Sequence, residues 1–328
     1  MALRPRVLTA LAIGLASALL AYYSARRAGA VPDFLYPWNG ARLFLDGVDP
    51  YLAMRKQIGA PPPYNEGLFY PFTTLLAILP VARFEVATAG ALFFGLSSAL
   101  LAFAVTRDGL WRVHVFMSAP FVSAALLVQF SPLLTVVALV PMLGFLATLK
   151  PNLGLVMLAT RPSRPAIAGC VILLAVSLVV FPKWPIGWLG NMLHERRVGI
   201  HEMPVIQWGG FLLLLAVTRW RRAAGRLLLG MSLVPQALFF YDQLPLWLVP
   251  RTRQQSILLT ACSQLAFILW FVLRTPGELV VKSAYPYVIA LIYLPSLLIL
   301  LRQPATNDVS SPPNVTEGSV AHHQPRQS

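Results

Sequence analysis

Acidic side chains are scarce in this chain. Only 12 of its 328 residues are Asp or Glu, against 26 Lys and Arg. Charge of either sign is scarce too, at 12% of residues, where a soluble domain carries roughly 25%. Lysine is reduced to Lys56, Lys150, Lys183 and Lys282. The two cysteines, Cys170 and Cys262, lie inside apolar runs and have neither disulfide nor metal-site spacing. These shortages exclude an ordinary soluble enzyme, a charge-rich disordered chain and a disulfide scaffold. What fills the chain instead is hydrophobic: 57% of residues, with mean hydropathy +0.67. Apolar runs recur along its length, which is the mark of a polytopic, all-α membrane protein.

The formal net charge of +14 would suggest nucleic-acid binding in a soluble protein. Here the basic residues sit between apolar runs, where Arg and Lys fix topology and meet anionic lipid headgroups. The lipid bilayer is therefore an expected partner, and nucleic acid is not.

Arg4 and Arg6 precede the apolar run Val7 to Ser24. Ala28-Gly29-Ala30 imitates a signal-peptide cleavage site, but a run of this length also suits an uncleaved first span, which is favoured. Residues 25–70 follow as a polar stretch with four of the acids: Asp33, Asp46, Asp49 and Glu66. Within it, Phe34 to Leu45 has the pattern of a short interfacial helix that ends at Gly47, and Asp49-Pro50-Tyr51 reads as a turn. Later apolar runs are interrupted at Gln129-Phe130-Ser131-Pro132, Lys150-Pro151-Asn152 and Tyr241-Asp242-Gln243. A second polar loop covers 182–204, and 303–328 read as a disordered polar tail. The positive-inside rule puts Arg4/Arg6, Arg107/Arg112, Arg161/Arg164 and Arg219–Arg226 in the cytoplasm, leaving loops 25–70 and 182–204 outside. The expectation is a domain over 1–302 with about eight to ten spans, the side of the tail left open.

Several polar residues stand out against this background. Asp33 should sit near the membrane surface, where partial desolvation raises a carboxylate's proton affinity and suits it to act as a base; a solvated loop acid is the plainer alternative. Gln129 and Asp242 lie at breaks in apolar runs, where a polar group is costly unless satisfied; each could line a cavity or bridge helices. Lys150 at a helix end could equally be an interface anchor. His194 and His201 could orient a substrate or assist proton transfer. Trp38, Tyr51 and Tyr70 could stack on sugar rings or belong to an interfacial aromatic belt. No metal-ligand spacing occurs, so a structural metal is not expected, and metal dependence of any activity stays open.

Asp33, Tyr36, Ala41, Gly47, Pro50, Tyr51, Tyr70 and Pro71 together resemble the first-loop pattern of glycosyltransferase family 87, in the GT-C superfamily of membrane enzymes. Gln129-Phe130-Ser131-Pro132 and Lys150-Pro151-Asn152-Leu153-Gly154 are similar to later elements of that family. The chain departs from the pattern at Phe72, where a second proline is usual, and at 241–245, which has no His. The resemblance implies a GT-C-like bundle whose first external loop carries short interfacial helices. It implies transfer of a sugar, often mannose, with inversion, from a polyprenyl-phosphate donor to an external glycan or glycolipid, with no cofactor. Asp33 would be the base. Arg42, Lys150, Lys183, Arg196 or Arg197 would meet the leaving phosphate. Tyr36, Tyr51, Tyr70, Gln129, His194, His201 and Asp242 would contact substrate. The implied setting is a bacterial inner or plasma membrane, with the site on its external face. Two other readings stay open: a transporter or flippase, although no internal repeat is evident, and a non-catalytic subunit of a cell-envelope assembly complex.

Overall fold

A computed structural model of the chain describes residues 3–27, 33–56, 67–195, 201–274 and 280–304, with the side chains of 194, 195, 280 and 281 excepted. Nearly all of these residues are helical, and no strand occurs among them; the one extended pairing is an isolated bridge between Glu202 and Gln236. The expected residues Glu66, Arg196 and Arg197, and the tail beyond 304, lie outside the described residues.

The first helix, α1 (Leu3–Arg27), buries only small residues: Ala10, Gly14, Ser17, Ala21 and Ser24. Its partner is the fifth helix. Between them come α2 (Leu35–Leu45), α3 (Pro50–Arg55) and α4 (Phe72–Ile78); then α5 (Val86–Val105) runs antiparallel to α1. The antiparallel sense follows from the contacts at the two ends. Arg26 pairs with Glu85 at one end, and Arg6 donates to the Phe103 carbonyl at the other. The seam is a small-residue one on both sides. A Cβ on Gly14 would lie 2.8 Å from Ala99 Cβ, and a Cβ on Gly95 would lie 2.7 Å from Ala18 Cβ. Gly14/Ala18 and Gly95/Ala99 are each four residues apart, so each pair occupies one face of its helix.

The segment between α1 and α5 folds through local capping. Gly47 ends α2 with φ +76°, a conformation that a Cβ would strain although the space is open. Asp49 then caps α3, its Oδ1 accepting from the backbone N–H of Tyr51 (2.9 Å) and Leu52 (3.1 Å), with Pro50 at the first helical position. Asp49-Pro50-Tyr51, expected as a turn, is therefore a helix start. Only four residues, 46–49, separate it from the end of α2.

The middle of the chain differs most from expectation. The apolar stretch from Leu110 to Leu149 is divided into a 3-10 helix (Leu110–Met117), α6 (Ala119–Leu127), α7 (Ser131–Val137) and a second 3-10 helix (Pro141–Leu149). Proline stands in the first turn of α6, α7 and the second 3-10 helix, so each break coincides with a residue that cannot extend the preceding helix. After α8 (Pro151–Thr160), α9 (Arg164–Val180) and α10 (Trp184–Glu195) form a pair bent by 101°. The stretch Leu227 to Pro250 is not one long helix. It ends α11 (Ala223–Leu233), crosses an irregular segment and re-forms as a 3-10 helix at Tyr241–Leu248. The chain closes with α12 (Arg253–Leu273) and a helical run over Tyr285–Arg302 that contains a π-helical turn at Ile289–Tyr293.

Among the described residues, four helices are long and apolar enough to cross a membrane: Leu3–Arg27, Val86–Asp108, Arg253–Leu273 and Tyr285–Arg302. Counting each bent pair as one span gives six. This corrects the expected eight to ten. An apolar run counts as a span by hydropathy alone, but several runs here are short helices of 7–11 residues, about 10–17 Å long and too short to cross on their own. The outer faces of α1, α9 and α12 are apolar and exposed, as at Leu11, Leu15, Ile172, Val179, Ile268 and Val272. Exposed apolar surface on this scale suits a hydrocarbon solvent. The architecture is that of an all-α, multi-pass membrane protein.

Candidate functional site

Asp33 stands between α1 and α2 and is half-buried. The side-chain amide of Gln129 donates to its Oδ2 across 96 residues of sequence. Gln129 is buried in the break between α6 and α7, and its position depends on Val128, which takes the left-handed conformation at φ 52°. For a β-branched residue that backbone is strained, at a cost on the order of 1–3 kcal/mol. Gln129 Oε1 and the neighbouring Ser131 Oγ are both buried without a hydrogen-bond partner.

A buried ion pair lies beside this carboxyl. Lys150 Nζ is 2.6 Å from Asp242 Oδ1, and Asp242 Oδ2 accepts from the Ala237 backbone N–H at 3.1 Å. Asp242 is 1% exposed, so its charge is compensated by these two donors rather than by water. The ammonium also lies 5.5 Å from the centroid of the Tyr241 ring. Tyr241 and Asp242 follow Phe240, which has φ 63°. Among the described residues, Val128 and Phe240 are the two non-glycine positions with positive φ, and each immediately precedes a residue of this cluster.

Lys150 owes its position to its neighbours. It ends the 3-10 helix Pro141–Leu149, whose last carbonyls need donors. Thr73 Oγ1 donates to the Thr148 carbonyl (2.8 Å) and Thr74 Oγ1 to that of Leu149 (2.6 Å), both from the first turn of α4. Pro151 then starts α8. Gly154 is required because a Cβ there would lie 1.8 Å from the Ala147 carbonyl oxygen. The Lys-Pro-x-x-Gly spacing is thus the geometry of one tight 3-10 to α-helix junction.

Burial pushes the Asp33 carboxyl up from its ordinary 3.8 to about 6. Lys150 opposes this, Asp242 reinforces it, and the Gln129 hydrogen bond and His201 oppose it. Burial first, and then Asp33 and Asp242, push the Tyr241 hydroxyl well up, so it stays protonated within hydrogen-bond reach of Asp33. His201, exposed, is held nearby because Glu202 and Gln236 exchange two backbone hydrogen bonds of 3.1 Å. Behind the ion pair lies a buried polar layer. Gln243 Nε2 (3.0 Å) and Tyr293 Oη (2.9 Å) both donate to Gln236 Oε1.

The structure therefore brings together Asp33, Gln129, Lys150, His201 and Asp242, each adjoining a helix break or a loop. Tyr70, half-buried, joins them through its ring 5.4 Å from Phe130 and its interaction with Tyr241. Tyr36, half-buried on the first turn of α2, follows Asp33 by three residues. Tyr51 belongs to the core: it is 1% exposed, stacks on Phe181 and donates its hydroxyl to the Tyr70 carbonyl at 3.0 Å. It supports Tyr70 rather than offering a surface to a sugar. Trp38 is also buried, with its Nε1 donating to the Phe84 carbonyl. Arg42 is exposed and lies over the Trp38 ring at 4.9 Å; the charged groups that act on Asp33 are Lys150, Asp242 and His201 instead. Lys183 is exposed in the bend between α9 and α10, and His194 is carried on α10. The start of α10 packs onto the first loop. Trp188 Nε1 donates to the Phe69 carbonyl at 2.8 Å and Asn191 Nδ2 to that of Leu68 at 3.2 Å, which fixes the strand of chain leading to Tyr70.

Tyr241, Thr73 and Thr74 were not singled out from the sequence. Tyr241 adjoins Asp242 in a polar break and could have been found there; the threonines carry no signal apart from lying beside Tyr70. Compared with protein-family models, curated proteins and solved structures, the chain matches none.

Proposed function

We propose that the protein is a membrane glycosyltransferase that uses a polyprenyl-phosphate sugar, with Asp33 as the base. The observation that carries the proposal is Asp33 itself. It is a carboxyl held near pKa 6 by burial, next to a buried cation and to orphaned polar atoms, at one end of a lipid-embedded bundle. A base tuned close to neutral pH is what removal of a hydroxyl proton needs.

In the proposed step the acceptor oxygen attacks the anomeric carbon while the bond from that carbon to the phosphate oxygen breaks. The hydroxyl proton passes to Asp33, and the departing phosphate takes the bonding electron pair. Lys150 supplies the positive charge on which that phosphate can lean in a site of low dielectric. Gln129 orients the carboxylate, and Tyr36 and Tyr70 lie beside the cluster, where they could contact the sugar. A polyprenyl tail needs hydrocarbon around it, and the exposed apolar faces of the bundle are where it would lie. By the positive-inside rule this end of the bundle faces outward, opposite the arginine clusters. The acceptor would then be a glycan or glycolipid on the external face of a bacterial inner or plasma membrane, and mannose is one sugar to try first.

The test is incubation of the purified full-length protein with a panel of polyprenyl-phosphate sugars and a glycolipid acceptor. Asp33→Asn should lower transfer roughly 10²–10⁴-fold while insertion and folding persist. Unchanged transfer in that variant would remove Asp33 from the role, and no turnover of any donor by the wild type would sink the reading.

A further inference from the structure

At the other end of the bundle from Asp33 lies a cavity of about 590 Å³. Four arginines from four separate segments reach it: Arg6 from α1, Arg107 after α5, Arg112 from the 3-10 helix Leu110–Met117, and Arg161 between α8 and α9. One acid, Asp108, shares the lining, and it is already paired with Arg112 at 3.3 Å. The lining therefore carries three positive charges more than negative ones. Arg161 lies close enough to Arg112 to repel it. Arg112 Nε is the atom that pairs with Asp108, whereas Arg6 Nε is buried without a hydrogen-bond partner while its Nη2 donates to the Phe103 carbonyl at 2.7 Å. The rest of the wall is largely apolar, with Phe103, Leu139, Leu227 and Leu248, and Arg6 lies over the Phe103 ring at 4.2 Å.

We infer that this cavity is a binding site for a phosphate ester. Guanidinium groups arriving from several directions suit a tetrahedral anion with several acceptor oxygens better than a flat carboxylate, and the buried Arg6 Nε needs such an acceptor. The apolar wall suits the organic part of the ester, and the volume exceeds what a bare phosphate would fill. The arginines of the lining come from segments that the positive-inside rule groups together, at the level where lipid phosphates lie. A phospholipid headgroup and a soluble phosphate ester share this chemistry. The site does not depend on the proposed sugar transfer, because none of its residues belongs to the Asp33 cluster.

Delipidated full-length protein in neutral detergent can be titrated with phosphatidylglycerol, with phosphatidylcholine and with sn-glycerol 3-phosphate, following binding by native mass spectrometry and thermal shift. Saturable binding of phosphatidylglycerol or of glycerol 3-phosphate is expected. Preference for the first identifies a lipid headgroup, and binding of the second alone identifies a soluble ester. The exposed pair Arg107→Gln/Arg161→Gln should weaken that binding at least tenfold, and Arg161→Lys should weaken it less. Should the double variant not fold, Arg161→Gln alone should still weaken binding severalfold. Equal binding of phosphatidylcholine and phosphatidylglycerol without any response to glycerol 3-phosphate, or binding unchanged in the arginine variants, overturns the site.

Discussion

The two ends of the bundle use scarce charge in opposite ways. At the Asp33 end, two carboxylates and a lysine are drawn inward, paired within hydrogen-bond distance and held on strained backbone. At the arginine end, guanidinium groups spread over the rim. Several of them cap helices. Arg226 donates to the carbonyls of Ala159 and Thr160 at the end of α8, and Arg219 to that of Leu301. A buried ion pair is expensive to desolvate and gains its worth from geometry, whereas arginines at helix C-termini satisfy carbonyls that would otherwise face lipid headgroups. The first arrangement is costly and specific, and the second is cheap and tolerant. Function is therefore sought first where charge is buried.

The largest expected effect tests that contrast directly. Asp242→Ala leaves the Lys150 ammonium buried without its partner and should cost roughly 3–5 kcal/mol, read as a lowered unfolding midpoint in detergent. Lys150→Met with Asp242→Leu should be less damaging than either single change; if the double variant is the worst of the three, the pair is not the costly element described here.

The next effect concerns pH. A folded-state carboxyl raised above its unfolded value stabilises the protein below the unfolded value and loses that contribution as pH rises. For Asp33 the loss spans about pH 4 to about 6, and the shift corresponds to on the order of 3 kcal/mol. Transfer activity should rise through the same window as the carboxylate forms, giving kcat/KM an acid limb near pH 6. Asp33→Asn should remove the pH dependence of stability and the activity together. An acid limb that persists in the residual activity of that variant would assign the titration to another group.

A smaller effect probes the strained backbone. Val128→Gly relieves the positive φ but deletes a side chain that is 1% exposed, so it should cost on the order of 1–2 kcal/mol net, while loosening Gln129 and lowering kcat. Equal kcat in that variant would show that the strain serves nothing at the site. Smallest of all, Arg83→Ala removes an exposed pair with Asp46, whose two side chains are 63% and 49% exposed, and should change stability by less than about 1 kcal/mol.

Much of the site was legible because polar residues are conspicuous in an apolar chain. Asp33, Gln129, Lys150 and Asp242 each interrupt or border a hydrophobic run, and the physical price of such a residue marks it for attention. Their association was not legible: Asp33 and Gln129 are 96 residues apart and Lys150 and Asp242 are 92, and no spacing rule spans such distances. Aromatic residues misled. Tyr51 and Trp38 have the composition of a sugar platform but are buried, because short helices need large side chains to hold them, α2 against α4 and α3 against α2 and α10. The span count was overestimated because hydropathy registers apolarity, and it does not see proline at the start of one helix cutting off the last.

The seam between α1 and α5 has one more consequence. Two helices that meet at Gly14 and Gly95 have no side chains there to repack, so they cannot creep past one another by rotamer changes. From Arg6 to Arg27 the helix rises roughly 30 Å, which is the hydrocarbon thickness of an ordinary bilayer. The pair therefore behaves as a gauge block of fixed length. In a thinner or thicker membrane the adjustment falls to the bent pairs, above all to α9 and α10 with their 101° corner, while the distance between the two ends of the bundle stays constant.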